Sequence, residues 1–134
     1  MIQIKQPKIF ISHSWGYDAD YESLVSLLKS RGYFDFLNYS IPSYDPIQGS
    51  KKEVWDQIES QIKYSSIVIL IVGMYATYSG SIKREIDIAR RHSKPILAIR
   101  PRGADKTSSL KGHADDEVGW NTESIVNAIR KLTQ

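Results

Sequence analysis

The stretch that decides the fold is residues 65–99, which read SSIVILIVGMYATYSGSIKREIDIARRHSKPILAI. It contains two apolar runs, Ile67 to Val72 and Ile96 to Ile99, separated by a helix-like segment from Ser81 to His92. An apolar run rich in β-branched residues, without polar alternation, is typical of a strand buried on both faces. Two strands joined through a helix pair in parallel, so the stretch predicts a strand–helix–strand unit of a parallel sheet.

The rest of the chain repeats this alternation of strands and helices. The predicted elements are a strand at Lys8–Ser12, a helix from Asp18 that ends at Gly32, an edge strand at Tyr33–Leu37, a helix opened by the capping box Ser50–Glu53, a short strand at Val118–Trp120 and a last helix capped by Asn121 or Thr122. Loops are predicted at Asn38–Gly49 and Pro101–Asp116. The pattern predicts one α/β domain over residues 8–132, after an N-terminal lead-in at 1–7. The expected fold is a flavodoxin-like open parallel sheet with strand order 2-1-3-4-5 and helices on both faces.

Composition narrows the function classes. The chain of 134 residues is long enough for one core, and it has no cysteine, which excludes thiolate chemistry and cysteine-ligated zinc. Its three histidines have no metal-ligand spacing, and the net charge of +3 is scattered along the chain. We therefore expect no metal and no nucleic-acid partner. No apolar run could span a bilayer and the N-terminus lacks a signal-peptide core, so we expect a cytoplasmic protein without a membrane partner.

Glu85 is the residue that does not fit the amphipathic pattern of its helix. Ile82, Ile86 and Ala89 share one helical face, and Glu85 falls toward that sheet-facing side rather than among the charged residues. A carboxylate directed at a core costs several kcal/mol unless it is paired or lies in a polar cleft. No Lys or Arg stands three or four residues after it, so pairing along the helix does not explain it. Two interpretations remain: a functional carboxylate, or an acid that the helix dipole favours in the first turn.

The predicted strand order places a ligand crevice at one edge of the sheet. Ligands of such folds bind outside the carboxyl ends of the strands, where the order reverses between strands 1 and 3. The crevice would be walled by His13–Tyr17 on one side and Gly73–Ser81 on the other. Glu85 would lie one helical turn above it, so the fold and the misplaced carboxylate point independently to the same site.

Several segments resemble Toll/interleukin-1 receptor (TIR) domains. Residues 8–15 (KIFISHSW) resemble the opening strand and loop of the family, and residues 79–85 (SGSIKRE) resemble its serine–x–tryptophan–x–x–x–glutamate motif. Ser81 stands where the family usually has tryptophan. Residues 94–96 (KPI) resemble the next strand, and the whole chain, with 38–40 (NYS) and 119–122 (GWNT), is similar to the bacterial TIR-like branch of Thoeris-type antiphage defence. The resemblance covers residues 8–132 and implies a TIR-like fold.

The resemblance also implies an activity. In the enzymatic members the motif glutamate acts on the nicotinamide riboside of NAD, which implies that Glu85 is catalytic and that NAD is a substrate, with no bound cofactor. A carboxylate suits this reaction because the departing nicotinamide leaves an oxocarbenium-like ribose. Water as acceptor would give ADP-ribose, and an internal acceptor would give a cyclic ADP-ribose-type messenger for a separate effector protein. Self-association is expected as well.

Further residues at the crevice are candidate substrate contacts, each with a structural alternative. Ser12 and His13 could bind phosphate or ribose, or form a turn that ends the strand. Trp15 and Tyr17 could stack on a base, or pack on the first helix. Asn38 and Asp45 could hydrogen-bond a ribose, or serve as turn residues. Tyr75 and Ser79 line the loop before Glu85, and helix capping is an alternative for Ser79.

Other functions remain open at this point. A non-catalytic TIR-like adaptor acting by self-association or partner docking is the main alternative. A nucleoside-transferring glycosidase would share the same carboxylate chemistry. A phosphoacceptor receiver domain is disfavoured because Ser12 and His13 stand where its acidic pair should follow the first strand. The absence of a glycine-rich lysine motif excludes a P-loop enzyme.

Overall fold

Parallel strands alternate with helices throughout the part of the chain that the structure describes. This computed structural model describes residues 6–12, 18–32, 34–40, 51–71, 80–100 and 114–133. Its elements are β1 (Lys8–Ser12), α1 (Asp18–Ser30), β2 (Leu37–Asn38), α2 (Lys51–Tyr64), β3 (Ile67–Ile71), α3 (Gly80–Arg91), β4 (Ile96–Ile99), β5 (Asp116–Val118) and α4 (Thr122–Leu132).

The strands form one sheet in the order β2-β1-β3-β4-β5, and every neighbouring pair is parallel. Ser12 at the end of β1 lies opposite Leu70 of β3, and Ile71 of β3 lies opposite Ile99 of β4. The predicted fold class and strand order are confirmed. The order reverses between β1 and β3, so the carboxyl ends of these two strands meet at one edge of the sheet.

Two apolar cores cover the two faces of the sheet. Ile9 and Ile11 of β1 pack in one core with residues of α1 and α4, and Phe10 packs in the other with residues of α2 and α3. All five residues of β3 are buried, as the unalternating run of the sequence predicts. Because side chains alternate along a strand, Ser12 shares the face of Phe10 and is directed toward the layer of α2 and α3.

The predicted edge strand at Tyr33–Leu37 is wrong in its position. The strand β2 is only Leu37–Asn38, and it pairs with Lys8 and Ile9 of β1. Phe34 is buried in the core beneath α1 and α4, and its ring stacks on that of Phe36 with 5.8 Å between the centroids. The aromatic residues that favour a strand by propensity are therefore used for packing rather than for the ladder.

The predicted fifth strand at Val118–Trp120 is displaced by two residues. The strand β5 is Asp116–Val118, in register with Leu97–Ile99 of β4. After Val118 the chain turns, because the amide of Asn121 donates to the carbonyl of Gly119 and the side chain of Asn121 then caps α4. Asn121 is thus the cap, one of the two residues predicted for it. The predicted surface loop ends before Asp116, and its residues 101–113 lie outside the described ranges.

Candidate active site at the carboxyl edge of the sheet

The helix α3 places Glu85 in its second turn. The helix begins at Gly80, and its first turn contains no acidic residue. The side chains of Ile86, Ile88 and Ala89 pack against the sheet, while Asp87 is exposed. Attraction of an acid to the first turn of a helix therefore does not explain Glu85, because the favourable effect of the dipole is confined to that turn.

Glu85 meets Ser12 at the end of β1. The Oγ of Ser12 donates a hydrogen bond of 2.8 Å to the Oε1 of Glu85, across 73 positions of the sequence. Both residues are buried, with exposed fractions of 6% for Ser12 and 7% for Glu85. The contact joins the carboxyl end of β1 to α3 on the same face of the sheet. This is the edge at which the strand order predicts a ligand crevice.

The surroundings of Glu85 favour its protonated form. Burial raises the pKa of Glu85 to about 7, while the hydrogen bond from Ser12 acts in the opposite direction and favours the charged carboxylate. At a pH near neutral the side chain therefore exists in both forms. A buried carboxyl poised in this way is a frequent property of catalytic groups, since it can hold or release a proton near physiological pH.

One oxygen of this carboxyl takes no hydrogen bond from the described part of the chain. Ser12 is the partner of Oε1, and within the described ranges no donor contacts Oε2. A carboxylate oxygen normally accepts hydrogen bonds or faces a cation when it is removed from water.

Asn38 lies apart from this pair. The register places it beside Ile9, three residues before Ser12 along β1. Its Oδ1 accepts a hydrogen bond of 2.9 Å from the amide of Ser40, and the Oγ of Ser40 in turn accepts one of 2.8 Å from the amide of Ile11. This geometry agrees with the interpretation of Asn38 as a turn residue. A contact between Asn38 and a ribose stays a prediction. Ser40, whose buried hydroxyl extends the sheet beyond β2, is a polar contact that the sequence analysis did not identify.

The remaining predicted substrate contacts lie outside the described residues. They are His13, Trp15, Tyr17, Asp45, Tyr75 and Ser79. Ser81, which replaces the tryptophan of the family motif, belongs to α3, and its side chain is likewise outside the description. Of the predicted site, the structure brings together Ser12 and Glu85.

Two ion pairs fix His92 and Arg100 near the ends of α3 and β4. His92, at the end of α3, contacts the Oε2 of Glu59 on α2 through Nε2 at 2.9 Å, and Arg91 reaches the same oxygen at 2.8 Å. Arg100 follows β4 at the carboxyl edge, and its Nη1 donates to the Oε2 of Glu117 at 2.7 Å. His92 thus links α3 to α2, and Arg100 is half-buried in an ion pair with Glu117. Sequence spacing could not reveal either pair, because each joins two different elements.

Within the described residues, no group of three or more acidic or histidine side chains is placed to hold a metal ion. Every helix in these same ranges is too short or too polar to cross a bilayer.

Comparison with known proteins places most of the chain in one family. Residues 10–106 match the family described as "Thoeris protein ThsB, TIR-like domain". The match includes both Ser12 and Glu85. No curated protein matches the chain in sequence.

Solved structures similar to this one share its fold at low sequence identity. A CMP N-glycosidase of Clostridium botulinum, BcmB, has a TM-score of 0.58 at 13% identity and covers 92% of this chain and 98% of its own. A 2-deoxyribosyltransferase of Bacillus psychrosaccharolyticus has a TM-score of 0.64 at 14% identity, with 90% of each chain covered. A prokaryotic SEFIR domain has a TM-score of 0.54 at 18% identity, with 96% of each chain covered.

Proposed function

The chain belongs to the TIR-like domain family of the Thoeris protein ThsB, a family of antiphage defence, and from this premise we propose that it is a cytoplasmic enzyme that cleaves NAD. NAD is a substrate in this proposal and not a resident cofactor. The carboxyl of Glu85 is the catalytic group. The observation that carries the proposal is the position of this buried side chain. It accepts a hydrogen bond from Ser12 at the edge where the strands end and the strand order reverses.

The chemistry of the step suits a carboxylate. The bond between the nicotinamide nitrogen and C1′ of the ribose breaks, and its electron pair neutralises the positive charge of the pyridinium ring. C1′ is left with oxocarbenium character, which the negative charge of Glu85 stabilises most strongly in the transition state. In a site removed from water this stabilisation is larger than in bulk solvent, because fewer solvent dipoles screen the charges.

The acceptor decides the product. Attack of water on C1′, with loss of one proton, yields ADP-ribose and nicotinamide. Attack by the adenine or by a ribose hydroxyl of the same molecule yields a cyclic ADP-ribose-type product and also releases nicotinamide. A cyclic product would serve as a messenger for a separate effector protein, and self-association of the chain would assemble the active form.

A second candidate is cleavage of the N-glycosidic bond of a nucleotide or nucleoside. The observation that favours it is the similarity in fold to proteins described as a CMP N-glycosidase and a 2-deoxyribosyltransferase. Glu85 would stabilise the same type of ribosyl cation. The two candidates differ in the substrate, because only the first requires recognition of the ADP portion.

The test is turnover of NAD by the wild type, Glu85→Gln and Asp87→Asn, with products resolved by mass spectrometry. Asp87 is the matched control, because it lies on the same helix, loses the same charge and is exposed. Each protein is assayed after purification and in lysates of phage-challenged cells, with CMP and deoxynucleosides as competing substrates. Circular dichroism confirms that each variant is folded.

Loss of NAD consumption in Glu85→Gln alone supports the proposal, and the product mass then separates hydrolysis from cyclisation. Equal consumption by folded Glu85→Gln contradicts a catalytic role for this carboxyl. Release of cytosine or another base without NAD consumption favours the second candidate. If the wild type consumes none of these substrates in any condition, the chain acts as a non-catalytic adaptor.

A further inference from the structure

The hydroxyl of Ser12 has only one proton to donate, and the structure commits it to Glu85. The donor–acceptor distance of 2.8 Å is normal for an O–H···O bond, and both groups are buried. A serine hydroxyl used in this way can still accept a hydrogen bond, but it can no longer donate one to a phosphate or ribose oxygen. The role of a direct phosphate contact, which its place at the end of β1 suggests, therefore conflicts with its observed partner.

We infer that Ser12 is a positioning residue, whose hydroxyl fixes Oε1 of Glu85 and thereby leaves Oε2 as the oxygen that acts on the ligand. The consequence for catalysis rests on the proposed function, while the effect on the carboxyl itself does not. Within the described ranges, Ser12 is the one hydrogen-bond donor to Glu85. The contact with Ser12 and the packing of α3 together orient the carboxyl relative to the sheet.

The backbone around Ser12 is well suited to hold a group in place. Ser12 pairs with Leu70 of the fully buried strand β3. On the other side, the amide of the preceding residue, Ile11, donates to the buried hydroxyl of Ser40. A serine has a single side-chain torsion that positions its oxygen, so little conformational entropy is lost in holding its hydroxyl. Groups that orient a reactive side chain are most effective when they are themselves fixed on strands or helices.

The same contact has an electrostatic consequence. A hydrogen bond donated to a carboxylate favours the charged form, and here it opposes the effect of burial on the pKa of Glu85. Removing the hydroxyl would leave a buried carboxylate without a donor, so the proton would bind more tightly. A serine that served only to attach α3 to β1 would also lower stability when removed. Stability alone therefore does not identify the role of Ser12, and the ionisation of Glu85 is measured together with kcat and KM.

The experiment follows the ¹³C signal of the Glu85 carboxyl by NMR as the pH is varied, in the full chain labelled with ¹³C-glutamate. Loss of the signal in Glu85→Gln assigns it. The wild type is expected to titrate near pH 7, and Ser12→Ala is expected to raise the midpoint by about one to two units, the size of a hydrogen bond to a charged group. Ser12→Thr keeps the hydroxyl and is expected to restore the midpoint. Ser65→Ala, which removes another buried serine hydroxyl at the opposite edge of the sheet, is expected to leave it unchanged.

A midpoint in Ser12→Ala equal to that of the wild type would overturn the inference. Should Ser12→Ala not fold, Ser12→Cys retains the shape with a much weaker donor and is expected to raise the midpoint in the same direction, so an unchanged value there overturns it equally. NAD cleavage by Ser12→Ala is measured as well. If Ser12 positions Glu85, the variant has a lower kcat, and the pH dependence of its rate moves to higher pH. If Ser12 contacts the substrate, the variant has a higher KM, and the pH dependence does not move. If the wild type cleaves no NAD, the proposed function fails and the NMR titration still decides the role of Ser12.

Discussion

The Oγ of Ser12 lies 2.8 Å from the Oε1 of Glu85, and this contact joins the last residue of β1 to the second turn of α3. It is a polar contact beside the apolar core of this face of the sheet, to which Phe10 and Ile86 belong. A carboxyl at such a position reduces stability unless it remains protonated. A destabilising carboxyl at a buried position is expected where the group serves function at the expense of stability.

Replacing Glu85 by glutamine is therefore expected to stabilise the protein above neutral pH. The folded carboxyl keeps its proton up to about pH 7, while the unfolded one releases it near 4.5, so the folded state binds more protons between these values. The contribution of Glu85 to stability is therefore fully present below the unfolded pKa and is lost as the pH rises from that value through about 7. The amide of Glu85→Gln does not titrate, which removes a penalty of about 3 kcal/mol at high pH.

Urea denaturation of the wild type and Glu85→Gln from pH 5 to 9 measures this difference. The free energies of unfolding should be closest at pH 5 and draw apart up to about pH 7, above which the variant stays more stable by a constant amount. Asp87→Asn, which removes an exposed carboxylate from the same helix, serves as the control. A constant difference between the wild type and Glu85→Gln over the whole range would show that Glu85 ionises normally in the folded state.

The proposed catalysis should depend on pH in the same window. The negative charge of Glu85 is the form that stabilises a ribosyl cation, so only the ionised fraction is active. We expect kcat/KM for NAD to rise with pH, reach half its limit near pH 7 and level off above it. Initial rates of nicotinamide release between pH 5.5 and 9 test this, and rates that fall with rising pH would indicate that the protonated acid is the active form.

The sequence predicts the parts of this protein that depend on local pattern. The buried strand β3 follows from an apolar run without polar alternation, and the unusual position of Glu85 follows from the helical period of α3. The strand order follows from the alternation of strands and helices, because small open parallel sheets commonly adopt it. The residue that contacts Glu85 cannot be predicted from local pattern. Ser12 is visible as a polar residue at the end of a strand, but the choice between substrate and Glu85 as its partner depends on the distance between β1 and α3.

The positions of β2 and β5 were predicted wrongly for a similar reason. Phe34 and Phe36 favour a strand by propensity, yet their rings pack beneath α1 and α4 and the ladder begins only at Leu37. The position of β5 depends on its register with Leu97–Ile99, and nothing in the three residues of β5 specifies that register in advance. Tertiary packing overrides local propensity at both edges of the sheet.

The core of β4 should be sensitive to loss of volume. Leu97 is fully buried in the core that faces α1 and α4, whereas Leu37 on the edge strand is 39% exposed. We expect Leu97→Ala to lower the free energy of unfolding by about 2–5 kcal/mol, because it removes apolar contacts and leaves a cavity. Leu37→Ala, with the same change of side chain, should lower it by less than about 1 kcal/mol. Urea denaturation of both variants at one pH makes the comparison, and equal effects would contradict the observed packing.

The start of α4 should depend on its cap. The Oδ1 of Asn121 accepts a hydrogen bond of 3.0 Å from the amide of Ser124, and its backbone is extended, as a cap residue requires. Asn121→Ala is expected to reduce stability by about 1 kcal/mol, while Asn121→Asp keeps the acceptor and should remain close to the wild type. Thermal unfolding monitored by circular dichroism measures both variants. An Asn121→Asp variant as unstable as Asn121→Ala would show that the hydrogen bond is not the stabilising feature.

The ion cluster between α2 and α3 should stabilise the fold in a pH-dependent way. The hydrogen bond with His92 holds the pKa of Glu59 below its usual value; burial opposes this effect, and the contact with Arg91 lowers the pKa further. The stabilisation is therefore present above the unfolded pKa and is lost as the pH falls through the folded pKa. Glu59→Gln should be less stable than the wild type at neutral pH, and the two should converge in acid.

Asp56→Asn is the control, because Asp56 forms an ion pair with Lys52 within α2 and does not connect the helices. Because the cluster is only partly buried, 1 M salt should reduce the effect of Glu59→Gln at neutral pH. An effect independent of both pH and salt would contradict this electrostatic origin.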